Sequence, residues 1–145
     1  MLNLPDRLEK LIQNGFWPIT NQSCQKQNLN SLVDRDLLKQ YAPEEDCIFF
    51  YQPPFKTIEQ EINEGMEIWK ETMSAPEMVS FHSSLIIGDF GLGSDAPIIL
   101  DYRQSPPTVL RLVWSEDGSD NKWKLWFNTF DEMCDTLQMD APPMV

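Results

Sequence analysis

Apolar residues recur along this chain with two different periods, and the change from one to the other divides it. In the first half the steps are three and four. Leu8, Leu11 and Ile12 share one face of a helix predicted from Asp6 to Asn14, with Pro5 suited to its first turn and Gly15 placed to end it. Residues 21–30 are polar and aperiodic, which predicts a loop. Asp34 can cap a second short helix through Leu37, Leu38 and Tyr41 that stops before Pro43. Cys47-Ile48-Phe49-Phe50-Tyr51 is an unbroken apolar run ahead of Pro53 and Pro54. It reads as a strand buried on both faces, although the run alone is compatible with a helix too. Thr57 and Gln60 have capping-box spacing. Ile58, Ile62, Met66, Trp69 and Met73 then form an apolar stripe, with Glu59, Glu61, Glu64, Glu67 and Glu71 largely on the outer surface.

Beyond residue 84 the pattern changes to short apolar runs separated by turn residues. Leu85-Ile86-Ile87 and Pro97-Ile98-Ile99-Leu100 flank the turn-rich stretch from Gly88 to Asp95, which predicts a strand–loop–strand unit. Thr108 to Trp114 and Lys122 to Phe127 flank Ser115-Glu116-Asp117-Gly118-Ser119-Asp120-Asn121 and predict a second hairpin. A strict period of two puts Leu110, Leu112 and Trp114 on one face, and likewise Trp123, Leu125 and Phe127. It leaves Arg111, Lys122, Lys124 and Trp126 on a face that is at least partly wet. Thr129 and Glu132 repeat the capping-box spacing, ahead of a stripe of Phe130, Met133, Cys134 and Leu137. The expected fold is α+β over a single domain, residues 1–145. An antiparallel meander carries N-terminal, central and C-terminal helices, packed mainly on one of its faces.

Composition narrows the functional classes. The chain has 145 residues, of which 41% are apolar and 11% aromatic, as suits a packed globule. Its 23 acidic residues against 11 basic ones give a net charge of −12. Such a surface repels phosphate backbones, so nucleic acid is not an expected partner, whereas a basic protein would be steered towards it. No stretch approaches the roughly 20 apolar residues needed to span a bilayer. The start of the chain lacks the basic and apolar regions of a secretory signal, and Cys24, Cys47 and Cys134 form no paired motif. The expected location is cytoplasmic.

A search for catalytic sets finds little. His82 is the only histidine, which leaves a triad or a histidine metal site hard to assemble, and Ser83 and Ser84 are its neighbours only in sequence. Gly91-Leu92-Gly93 lacks the Lys and Ser/Thr of a phosphate loop. Asp89, Asp95 and Asp101 could surround a hard cation in a metal-dependent enzyme, but aspartate is also an ordinary turn residue. No cofactor is expected. The stronger signals are for binding. Trp126, one of five tryptophans, is a candidate interface anchor unless an N-terminal helix or loop covers it. With Asp89, Asp95, Asp101 and Tyr102 it makes up the candidate partner-binding set.

Ile86-Ile87-Gly88-Asp89-Phe90-Gly91, then Pro97-Ile98-Ile99-Leu100-Asp101, the strand Val109 to Trp114, and Phe130-Asp131-Glu132-Met133 occur in an order that resembles the SUKH superfamily. That superfamily joins fungal cell-wall-synthesis regulators to many bacterial immunity proteins. The family's Gly-Asp-Gly turn is expanded here across Gly88 to Asp95, while Phe16-Trp17-Pro18 is less diagnostic. The resemblance implies helices packed on an antiparallel sheet, used to bind a protein rather than to catalyse a reaction. It implies in particular an immunity protein neutralising a toxin, for which the acidic balance would suit a basic partner. A regulatory or scaffolding adaptor of the same fold is the alternative.

Overall fold

The computed structural model describes residues 2–20, 33–45, 48–64, 79–90, 96–113 and 122–139. In chain order their elements are α1 (Asp6–Gln13), α2 (Arg35–Tyr41), β1 (Phe49–Phe50), β2 (Lys56–Thr57), α3 (Ile58–Asn63), β3 (Ser84–Asp89), β4 (Pro97–Asp101), β5 (Thr108–Val113), β6 (Lys122–Phe127) and α4 (Phe130–Thr136). The strands form one antiparallel sheet in the order β1-β3-β4-β5-β6, with β2 paired to β3 alongside β1. The class is α+β with a sheet meander, as the change of period predicts.

Local chemistry accounts for the helix ends. Pro5 opens α1 and accepts from the amides of Leu8 and Glu9 through its carbonyl. Gly15 closes it at φ +82°, a left-handed conformation that glycine adopts without steric cost. The Asp34 carboxylate accepts from Leu37 N at 3.1 Å to start α2. At α3 the capping box is complete: Gln60 N donates to Thr57 Oγ1 and Thr57 N donates to Gln60 Oε1. At α4 only one arm forms, with Thr129 Oγ1 accepting from Glu132 N. The third helix is shorter than its apolar stripe predicts. It ends at Asn63 with Glu64 as its cap and Gly65 next in sequence, a residue type common just past a helix end. Met66, Trp69 and Met73 lie outside the described residues, as do the loop at 21–30 and Trp114.

Every residue of β3 and β4 is buried, because the sheet is covered on both sides. On one face Leu85, Ile87, Ile98, Leu100, Val109 and Phe127 pack under α1, α2 and α4. On the other, Ile86, Ile99, Leu110, Leu112 and Trp123 meet Ile58 and Ile62 of α3. Of the described helices three lie on one face and one on the other, and this explains why the two central strands read as unbroken apolar runs. Exposure is greatest at the β6 end, where Lys122, Lys124 and Leu125 face solvent, with Lys56 of the short β2 exposed at the other margin.

Three expectations about the strands are corrected. The run at Cys47–Tyr51 yields a strand of two residues. Ile48 and Phe50 are buried but Phe49 and Tyr51 are partly exposed, because β1 stands at the margin of the sheet and has only one covered side. Gly88 and Asp89 belong to β3 and not to a turn: Gly88 pairs with Phe50 on one side and Ile98 on the other. Phe127 does not share a face with Trp123. Val109 pairs with Phe127 but Leu110 pairs with Leu125, so Trp126 is an extra residue that turns Phe127 towards the opposite core.

A second bulge leaves Ile87 without an opposite number, between the Ile86–Ile99 and Gly88–Ile98 pairs. It brings β1 so close that a Cβ on Gly88 would sit 2.8 Å from the Phe49 carbonyl oxygen and 3.2 Å from Phe50 Cδ1. Gly88→Ala should therefore push β1 off the sheet and lower stability by about 1–3 kcal/mol, the usual cost of an overpacked core. Denaturant unfolding checks this, and a midpoint equal to that of the parent chain would contradict the close approach.

Candidate partner-binding site

The candidate residues do not gather. Asp89 ends β3 opposite Pro97, whereas Asp101 ends β4 opposite Ser84. Five steps along β3 at about 3.3 Å each put roughly 16 Å between them. One cation with oxygen ligands at about 2.3–2.6 Å cannot be shared across that span, so Asp89 and Asp101 do not serve one cation together. Asp95 lies outside the described residues. Among the described residues no group of three His, Cys, Asp or Glu side chains could hold a metal ion.

Each of the four described candidates has a structural contact instead. Asp89, only 2% exposed, accepts from Tyr51 Oη at 3.2 Å. Asp101 is 3% exposed and accepts from Arg103 N at 3.1 Å, Nε at 3.0 Å and Nη2 at 2.8 Å, a hairpin-end clamp between residues two apart. The carboxylate in turn holds the Arg103 guanidinium even above its ordinary proton affinity. Tyr102 Oη donates to Asn3 O at 2.7 Å and ties the segment before α1 to the end of β4. Trp126 Nε1 donates to Tyr41 O at 3.0 Å, so the cover over this tryptophan is the end of α2.

Trp126 also belongs to a cluster that alternation shows only in part. Its ring lies edge-on to Phe90 at 5.2 Å and against Phe127 at 4.8 Å. The Arg111 guanidinium sits 5.3 Å from the Phe90 ring centre and 5.9 Å from that of Trp126, and pairs with Glu44. Burial pushes the Glu44 carboxyl up. Hydrogen bonds from its own backbone amide and from Arg111, with the charges of Arg111 and Lys124, outweigh that and hold it below its ordinary value. The placement of Arg111 and Trp126 on one face follows from the period of two. Glu44 carries no sequence signal that joins it to them.

His82 is exposed, and its ring meets Ser80 Oγ at 3.1 Å from Nδ1 and 3.5 Å from Nε2, not Ser83 or Ser84. Ser84 Oγ is engaged elsewhere, donating to Ser80 O at 2.6 Å. No carboxylate orients the imidazole among the described residues, so the pair lacks the third group of a nucleophile–base arrangement.

Sequence reasoning missed a cavity of about 310 Å³ where the chain leaves the sheet between β1 and β2. Tyr51, Pro53, Pro54, Phe55 and Ile86 supply its apolar lining, and Gln52, Lys56 and Glu61 its polar one. The only sequence signal is indirect: two prolines that cannot donate to a strand ladder, followed by a capped helix start. The wall is firmly held. Tyr51 N donates to Ile87 O at 3.0 Å, Trp17 Nε1 donates to Tyr51 O at 2.8 Å, and Phe55 stands edge-on to Trp17 at 5.8 Å.

No helix among the described residues is long and apolar enough to cross a membrane. No protein-family model, curated protein or solved structure matches the chain.

Burial raises the Tyr102 hydroxyl from 10.0 to about 12. A raised folded-state value means that the unfolded chain ionises first. The contribution of Tyr102 to stability is thus complete below pH 10 and is lost as pH rises from 10 towards 12. Phenolate absorbance of the native chain should show a step at about pH 12 that disappears in Tyr102→Phe. A variant retaining that step would show that Tyr102 is not the masked hydroxyl.

Proposed function

We propose that this chain is a non-catalytic protein-binding domain of the SUKH kind, and specifically an immunity protein that neutralises a basic toxin by occupying its surface. The observation that carries the reading is which polar groups face outward. Asp101, Tyr102 and Trp126 are engaged in holding turns and helices together, and Asp89 is buried. The carboxylate excess is what the surface presents. Asp6 and Glu9 on α1 and Asp131, Glu132 and Asp135 on α4 are all exposed, on helices that Arg7 joins through a 2.7 Å ion pair to Asp135.

The residues behind the resemblance support the same reading. Ile86 to Asp89 and Pro97 to Asp101 are adjacent strands, Val109 to Val113 lies in the next, and Phe130 to Met133 opens α4. They make up one contiguous body and not scattered matches. An acidic surface of net charge −12 accelerates encounter with a basic protein, and salt screens that attraction over about 10 Å at 0.1 M. Neutralisation then needs no chemistry from this chain, only an interface that covers the toxin's working surface.

The immobilised chain should retain a basic protein from an extract of its native host at low salt. The purified partner should associate more slowly as salt rises, and it should be harmless in cells only when this chain is co-expressed. Retention of no protein at low salt would overturn the binding reading. A retained protein that is harmless by itself would overturn immunity and leave the adaptor.

A further inference from the structure

The cavity between β1 and β2 carries a more specific inference, which rests on the binding reading above. We propose that it seats the guanidinium of an arginine side chain presented by a basic partner protein.

Charge is the first argument. Lys56 Nζ lies 2.6 Å from Glu64 Oε2, so that ammonium already has its counter-ion. The Glu61 carboxylate adds to the same field, and both glutamates strengthen the hold of Lys56 on its proton. Two carboxylates thus offset one ammonium here: Glu64, outside the lining, holds Lys56, while Glu61, which lines the cavity, makes no ion pair of its own among the described residues. The unbalanced charge at the rim is negative, as it is over the whole chain.

Shape is the second argument. Two aromatic residues, Tyr51 and Phe55, line the cavity together with Gln52, Pro53 and Pro54 between them in sequence. A planar, weakly hydrated cation that stacks on flat faces while donating to a carboxylate suits such a site, and guanidinium has that chemistry where a compact ammonium does not. The third argument is rigidity. Trp17 fixes both ends of the Tyr51–Phe55 wall, one by a hydrogen bond and one by ring contact, so little ordering opposes a guest.

The test uses the full chain and N-acetyl-arginine amide, with the citrulline analogue as a neutral isostere. The arginine compound should bind weakly, on the order of 1 mM, with NMR shifts centred on residues 51–61, and the citrulline compound should not bind. Glu61→Lys should weaken binding at least about tenfold. Glu59→Lys, the same charge change at an exposed position of α3 outside the cavity, should leave binding within about twofold. Thermal unfolding of both variants at the parent temperature excludes a folding defect. Equal binding of citrulline, equal effects of the two lysine variants, or shifts elsewhere in the chain would overturn the inference. The partner separates this inference from the reading beneath it. If Glu61→Lys retains a partner as well as the parent chain does, the cavity inference fails and the binding reading stands. If no partner is retained while the arginine compound still binds at residues 51–61, the binding reading fails, and with it the partner's arginine as the occupant, while the guanidinium seat itself stands.

Discussion

The structure turns on Trp17. Its side chain is 1% exposed and touches three rings from separate parts of the chain: Phe50 at 4.5 Å, Phe55 at 5.8 Å and Phe130 at 6.3 Å. Its indole N–H, which would be costly to bury unpaired, donates to Tyr51 O. Burying one tryptophan removes about 150–250 Å² from water, roughly 4–6 kcal/mol at about 25 cal/mol/Å², an upper figure because unfolded chains are partly collapsed. That is comparable to the whole net stability of many domains. The same residue sets the exit from α1, the position of β1, the wall of the cavity and the seat of α4.

The central strands depend on burial in a different way. Because α3 covers one face and the other helices cover the opposite one, β3 and β4 have no wet side on which a partner could read a side chain. The residues on which the proposed family resemblance rests lie largely in these strands. What they specify is therefore the framework, and they are poorly placed to specify a partner. On the binding reading proposed above, choice of partner falls to the periphery, where α1, α4, α3 and the link between β1 and β2 present charge and shape.

Much of the framework was legible in the sequence because its determinants are local. Asp34, Thr57 and Thr129 bond to amides three residues on, so their spacing alone predicts a helix start. The four long strands are legible for the same reason, β3 and β4 as short apolar runs and β5 and β6 as alternating ones between turns. Features set by two distant segments were not. The bulges at Ile87 and Trp126 depend on the partner strand, and they moved Gly88 out of a turn and Phe127 to the other core. Asp89 and Asp101 read as surface carboxylates because aspartate favours turns, whereas Tyr51 and Arg103 take them into the interior. The candidate site was the least legible part. The cavity wall needs Trp17 to hold residues 51 and 55, and no periodicity links those positions.

The margins of the sheet also decide how this protein behaves in a crowd of its own copies. Among the described strands, β6 forms one margin, and it carries two exposed lysines and a bulge at Trp126 that disturbs the even spacing of its backbone groups. The other margin is made of β1 and β2, two residues each, with Pro53 and Pro54 in the gap between them. Neither offers the long, flat, regular row of amides and carbonyls on which sheets stack into fibrils. The broken margin therefore serves two ends. The chain can concentrate its apolar strands in the middle without inviting self-polymerisation, and association is left to side chains, which can discriminate between partners where a bare backbone cannot.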